Sequence, residues 1–263
     1  KPIWKAEPGG LLRTAPLVTN DLVAVVDGDG QLVAVSKADG KRLWSLAGSS
    51  YVGAPILADG AMVVATAKGM IERIGLDGRR LAQWDAHQAS GLADGEPSFT
   101  YGPVLGGDAI WVADTNAVIR RLGAPPLGEI PPLSLAWIDQ ASRPPFTANP
   151  LRNTVVPYGG KALVLDFVKN VFEVDPSSGS ATRLATLPGD LGLAQIEPVL
   201  AGDTLLSISG TTLQALDLRT ASVIWQGQAS GITIRPPVVS DQTVLWVSGG
   251  NGSSTLLALD IAT

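Results

Sequence analysis

Ala15 to Trp44 reads APLVTNDLVAVVDGDGQLVAVSKADGKRLW. An Ala-Pro pair opens it. An apolar run from Leu22 to Val26 ends in the turn Asp27-Gly28-Asp29-Gly30, a second run from Leu32 to Val35 ends at Asp39-Gly40, and the unit closes on Leu43-Trp44. Short runs rich in Val and Leu, bounded by Asp-Gly pairs, are strand and hairpin signals. Branched aliphatic side chains fit a pleated, packed surface, and Gly supplies the positive φ that tight hairpins demand.

Most of the remaining chain is this unit again. Aligned on the opening prolines Pro16, Pro55, Pro103, Pro157, Pro198 and Pro237, the units step by 39, 48, 54, 41 and 39 residues. Apolar runs recur in each, among them Met62-Val63-Val64-Ala65, Ala109-Ile110-Trp111-Val112-Ala113, Ala162-Leu163-Val164-Leu165 and Thr243-Val244-Leu245-Trp246-Val247. No helical 3.6-residue pattern of useful length interrupts them. A repeat of ~40–50 residues holding four short strands is the period of a β-propeller blade. The expected fold is all-β, a six-bladed β-propeller of four-stranded antiparallel blades in one domain over residues 1–263, with blades at 15–44, 54–84, 102–137, 156–187, 197–225 and 236–263 plus 1–7.

With strands lettered A to D within a blade, strand D ends on Trp44, Trp84, Trp137 and Trp225, while the fourth unit has Leu184 near that place. A Trp buries roughly 150–250 Å², about 4–6 kcal/mol at ~25 cal/mol/Å² as an upper bound, so a repeated Trp is read as blade-to-blade packing. The last unit stops at Leu259-Asp260-Ile261-Ala262-Thr263, and the chain opens on Lys1-Pro2-Ile3-Trp4. Joined, the ends match Leu216–Trp225, so the N-terminal segment is expected to supply strand D of the last blade and close the ring. A piece of a larger ring of seven or eight blades is the alternative.

The chain is 45% hydrophobic and 16% charged, with a net charge of −5. It has no clustered Lys and Arg of the kind a nucleic-acid surface needs, and no apolar stretch reaches the ~18 residues of a membrane span. With no cysteine, it has no disulfide, thiolate metal site or cysteine nucleophile. A start at Lys1 rather than Met is read as a mature form or an excised domain.

Three stretches break the repeat. Asp85–Gly102 joins the second and third blades, Ile138–Val156 joins the third and fourth, and Ala124–Leu133 (APPLGEIPPL) lies between strands C and D of the third. In a propeller the D-to-A joins and the B–C hairpins share a face, which puts both long joins, and an enlarged hairpin turn at Gly249–Ser254, on one face. Long loops on a rigid scaffold are where function concentrates. Candidate partner-binding residues are therefore His87, Asp94, Glu96, Phe99 and Tyr101 in the first join and Arg143, Phe146, Asn149, Arg152 and Asn153 in the second. Phe, Tyr and Arg are enriched at binding hot spots. The alternative is that these joins only fill gaps between irregular blades.

Catalytic constellations are lacking. Asp27-Gly28-Asp29-Gly30 does not continue as a calcium loop, since Gln31, Leu32 and Ala38 stand where an Asp or Asn, a Gly and a Glu are needed. His87 is the only histidine, which excludes a multi-histidine zinc site. No catalytic, cofactor or metal residue is assigned.

The unit A-P-x-x-x-x-x-x-V, D-G-x-L-x-A, D-G-x-x-L-W resembles the PQQ-like repeat of the quinoprotein-dehydrogenase-like propellers. Ala15-Pro16, Gly30–Ala34, Gly40–Trp44, Leu213–Asp217 with Trp225, and Leu256–Asp260 carry the likeness. The quinone-dependent enzymes of that family are longer and typically use an adjacent cysteine pair, so the cofactor is not carried over. The chain is similar instead to the BamB-type non-enzymatic propellers. That resemblance implies a protein-binding scaffold, periplasmic or extracellular, within a membrane-associated complex, with protein partners on the face of joins 85–102 and 138–156. A quinoprotein-like enzyme or small-ligand binder with a site on the central axis is the alternative, and binding of PQQ with calcium would distinguish it. Deleting residues 1–7 is expected to lower the melting temperature sharply, and an unchanged unfolding transition overturns closure by this segment.

Overall fold

The structure, a computed structural model, describes residues 2–10, 12, 14–88, 98–106, 109–114, 119–123, 155–165, 169–175, 180–188, 196, 198–231, 233, 235–250 and 253–262. Among them every regular element is a β-strand, arranged in six antiparallel sheets that each run as a meander in chain order. The first sheet holds β1 (Leu17–Val18), β2 (Leu22–Val26), β3 (Leu32–Ser36) and β4 (Arg42–Leu46), and the second β5 (Tyr51–Ala58), β6 (Ala61–Thr66), β7 (Met70–Ile74) and β8 (Arg80–Asp85). The third has β9 (Val104–Gly106), β10 (Ala109–Ala113) and β11 (Ile119–Gly123). The fourth holds β12 (Val156–Tyr158), β13 (Lys161–Leu165), β14 (Asn170–Asp175) and β15 (Ser180–Thr186), and the fifth β16 (Val199–Ala201), β17 (Thr204–Ser209), β18 (Thr212–Asp217) and β19 (Ser222–Gln228). The sixth has β20 (Val238–Ser240), β21 (Thr243–Gly250) and β22 (Ser253–Asp260). Sheets one to three fall in one compact unit and sheets four to six in another.

Strand A is always an edge, which is why it tolerates the opening proline: a residue without an N–H costs nothing where no ladder bond is required. Strands B and C are the interior. All of β6 and β10, for example, is buried. Their unbroken apolar runs follow from packing on both faces, and the period-2 alternation sorts the side chains between two neighbours. Met62 and Val64 join Leu22, Ala24 and Ala34 of sheet one, while Val63 and Ala65 join Ile110, Val112 and Leu122 of sheet three. In the second unit, Leu163, Leu165 and Val171 meet Leu205 and Leu216, and Leu206, Ile208 and Leu213 meet Val244 and Trp246.

The strand D tryptophans lie against these inter-sheet clusters, Trp44 between sheets one and two, Trp84 between two and three, Trp225 between five and six. The indole N–H of Trp44 donates to Leu76 O at 2.9 Å in the C–D turn of sheet two, and that of Trp225 to Ile261 O at 2.9 Å, just past strand C of sheet six. Trp4 does the same toward sheet one, donating to Lys37 O at 2.8 Å. The rings lie on glycines: a Cβ on Gly40 would come within 2.8 Å of Trp4 Cε3, and one on Gly78 within 2.9 Å of Trp44 Cδ2. The C–D ladders carry a bulge at the same place in three sheets, between Ala34 and Val35, Arg73 and Ile74, and Ala215 and Leu216, and in sheet four two residues earlier, between Val171 and Phe172. Ala34 faces Trp44 and Ala215 faces Trp225 across the ladder, a small residue making room for a large one.

Residues 2–7 form no strand, although Trp4 and Ala6 pack against Val23, Val25, Val33 and Val35 of sheet one. Sheet six therefore has three strands among the described residues, and the expected strand D of sheet three falls on residues outside them. Gly249–Ser254 differs from the enlarged turn expected: Gly249 pairs with Ser254 and Gly250 with Ser253, lengthening the ladder of β21 and β22. Backbone pairing needs no side chain, so the two glycines continue the strand where a turn had been read.

One backbone crossing depends on glycine absolutely. β5 is irregular between Val52 and Ile56, and Gly53 there has φ +68° with the backbone of Gly102 directly against it. A Cβ on Gly53 would collide with the Gly102 backbone, whereas Gly60, with φ +70°, has open space around it. Gly60→Ala is expected to cost about 1 kcal/mol from the backbone conformation alone, and Gly53→Ala at least twice that. Denaturant titrations that give the two variants equal losses refute the crossing.

Candidate functional site

Four backbone hydrogen bonds build the end of the sheets that carries the joins. Tyr51 N–H donates to Gly30 O at 2.9 Å, Ala86 to Gly69 at 3.0 Å, Leu187 to Lys169 at 2.9 Å and Ala229 to Thr211 at 2.8 Å. In each case the chain leaving strand D is fastened to the B–C hairpin of the sheet it has just left. Two of the hairpins are themselves held by a side chain at the end of strand B, Asp27 just past β2 and Thr66 closing β6. Asp27 Oδ1 accepts the N–H groups of Asp29 and Gln31 at 3.0 and 2.9 Å, and Thr66 Oγ1 those of Lys68 and Met70 at 3.3 and 3.1 Å. Joins and hairpins therefore share one end of each sheet, as expected.

Polar residues at one shared register position of strand C, opposite Val64 in sheet two and Ser207 in sheet five, reach the same joins from below. Glu72 is buried, with 6% of its surface exposed. It accepts hydrogen bonds from Ser49 Oγ at 3.1 Å, the Tyr51 hydroxyl at 2.7 Å and Arg80 Nε at 2.9 Å. Arg80 also donates to Ser49 Oγ at 2.8 Å, so the join between sheets one and two is tied to strands C and D of sheet two. Burial pushes the Tyr51 hydroxyl above its ordinary pKa; the Arg80 and Ser49 contacts lower it and Glu72 raises it further. Tyr51 thus stays a donor. Gln214, at the corresponding place in sheet five, donates to Pro188 O at 2.8 Å, and Lys169 Nζ reaches the same carbonyl at 3.2 Å. In sheet three the position is Arg120, buried beside Asp114 at 3.6 Å with its guanidinium 5.4 Å from the Trp84 ring centre.

His87 is exposed at the start of the join after β8, its Nδ1 2.8 Å from Asp85 Oδ1, which also accepts the His87 N–H at 3.0 Å. Burial raises the Asp85 carboxyl, but the His87 hydrogen bonds outweigh it and leave the pKa below its ordinary value. Phe99 is 2% exposed, inside the cluster with Ile110, Val112, Leu122 and Trp84, and its backbone bridges to Asp114. Its ring is committed to the core. Tyr101 is half-buried beside the Gly53–Gly102 crossing. Asp94, Glu96, Arg143, Phe146, Asn149, Arg152 and Asn153 lie outside the described residues. Glu72, Tyr51 and Gln214 were not singled out from the sequence. The signal for them is a polar residue at the same repeat place within an apolar strand C.

Among the described residues no three His, Asp or Glu side chains gather to hold a metal ion, and no helix is long and apolar enough to cross a membrane. What the geometry offers is a set of joins clamped to rigid sheets. The sequence profile of the family described as outer membrane protein assembly factor BamB matches residues 1–263. The chain belongs to that family. BamB from Moraxella catarrhalis superposes with a TM-score of 0.65 at 12% identity, covering 99% of this chain and 77% of that one, a likeness of fold. No curated protein sequence matches the chain. For a chain of the BamB family, the β-propeller fold expected from the repeat is thus in place.

If Glu72 is the hub of its join, Glu72→Ala leaves the buried Tyr51 hydroxyl without its acceptor and costs about 2–3 kcal/mol, a fall in Tm of roughly 5 °C or more. Tyr51→Phe, which leaves Ser49 and Arg80 on the carboxylate, is expected to cost less than half as much. Calorimetry that ranks the two the other way removes Glu72 from that role.

Proposed function

We propose that this chain is a non-catalytic, protein-binding propeller of an outer-membrane assembly complex, acting on the periplasmic side of that membrane. The observation that carries the reading is the family match over residues 1–263. The stitched joins support it: a binding loop clamped at its base loses less conformational freedom on association than a free one, which leaves more of its contact energy as affinity. The six sheets act in this reading as one domain over 1–263.

The partner surface comprises the joins 85–102 and 138–156. Of the candidates, His87, Tyr101, Arg143 and Phe146 are the side chains assigned to contact, with Asp94, Glu96, Asn149, Arg152 and Asn153 around them. Phe99 supports the base of the first join from within the core.

The test is cross-linking in intact cells of the source organism followed by purification of the tagged chain from envelope extracts. An outer-membrane assembly component is expected among the cross-linked partners, with its recovery reduced at least about fivefold by Tyr101→Ala combined with Arg143→Ala, while the Tm of the variant stays within a few degrees. Recovery with cytosolic proteins alone, or undiminished recovery by the variant, overturns the reading.

A further inference from the structure

At the other end of sheets five and six, where the A–B and C–D turns lie, the structure forms a cleft of about 620 Å³. This is within the range of ~300–1,000 Å³ common to ligand pockets. Its acidic groups stand on both walls: Asp203 and Asp217 on sheet five, Asp241 on the A–B turn of sheet six. Among the described residues Arg219 is the one cation lining it, so three carboxylates face one guanidinium. The space between the walls is apolar. Ile224 is 40% exposed there, and Val239 and Ile261 complete it.

We propose that this cleft docks an extended protein segment in which arginine or lysine side chains alternate with aliphatic ones. A ligand that satisfies both walls has to present cations at two places with apolar surface between them, and an extended polypeptide of alternating basic and aliphatic residues does so. The chain already rehearses the recognition. Arg219 places Nε 3.4 Å from Asp203 Oδ2 and 3.8 Å from Asp217 Oδ1, while its side chain remains 71% exposed. Asp203 Oδ1 is oriented by the Tyr158 hydroxyl at 2.8 Å, and Asp217 Oδ1 by the N–H of Arg219 at 2.8 Å. Those backbone bonds hold the Asp217 carboxyl below its ordinary pKa, so it remains ionised in mild acid. Asp241, at φ +53°, has no side-chain partner among the described residues.

The walls are braced before any ligand arrives. Leu218 N–H donates to Asp203 O and Ile261 N–H to Gln242 O, both at 2.9 Å, tying each A–B turn to the residues just past strand C of its own sheet. Trp225 fixes Ile261 from the neighbouring sheet. The corresponding turns of sheets one and two mix Asp21, Asp39, Asp59 and Asp77 with Lys37, Lys41 and Arg79. This surface is distinct from the joins and is independent of the function proposed for them.

A fluorescein-labelled octapeptide alternating arginine and leucine is the probe, read by anisotropy against the full chain. Saturable binding is expected, weakened about threefold or more by Asp241→Asn and by Asp203→Asn, in line with the worth of partly exposed charge pairs. Arg219→Gln removes the resident cation and is expected to tighten binding about threefold, a gain that misfolding does not produce. Tyr101→Ala, in the join, is expected to leave it unchanged, which separates this site from the partner surface. The proposal is overturned if the peptide does not bind, if its glutamate–leucine counterpart binds equally, or if Arg219→Gln fails to tighten it. Competition by arginine amide at the same concentration as the unlabelled peptide assigns the cleft to small cations and overturns the segment.

Discussion

Sheets of this kind cannot be stable alone, and what couples them is an indole seated on its neighbour. Trp4, Trp44 and Trp225 each place a ring just past strand C of the following sheet and donate one hydrogen bond to its backbone. The hydrogen bond contributes only about 1 kcal/mol net, and the larger share comes from burying the ring. The bond nevertheless fixes which carbonyl the ring meets, and with it the register of two packed surfaces. The positive φ of Gly40 and Gly78, the small residues Ala34 and Ala215 opposite the tryptophans, and the bulges beside those alanines all serve the same seat.

That coupling leaves the ends of the sheets to be specialised independently. At one end, backbone bonds tie each described join to a B–C hairpin, and buried Glu72 and Gln214 tie two of them to strand C. At the other, the A–B and C–D turns are tied to each other. The central strands vary little, since nearly every side chain on them meets a neighbouring sheet. The joins and turns meet fewer constraints, and there length and charge depart from the repeat.

Much of this was legible in the sequence for a physical reason: unbroken aliphatic runs between Asp-Gly turns have few alternatives to doubly buried strands. The strand D tryptophans were readable as packing residues because the repeat places them at the end of each unit. Other features were not legible. A bulge leaves no composition signal when Ala34 and Val35 are ordinary strand residues. Gly249-Gly250 has turn composition, yet long-range pairing overrides it. Phe99 sits in a polar join, and only the fold carries its ring into the core between sheets two and three. Glu72 reads as an error in an apolar strand until Ser49, Tyr51 and Arg80 are seen around it.

The tryptophan seats also have a direction. Each indole precedes the carbonyl that receives it, by 33 residues at Trp4, 32 at Trp44 and 36 at Trp225. A chain that emerges from its N-terminus therefore presents each indole before the surface that will cover it exists. Sheets one and five each leave an indole uncovered until the following sheet has formed. The same device that locks these sheets to their neighbours gives their packing an order along the chain.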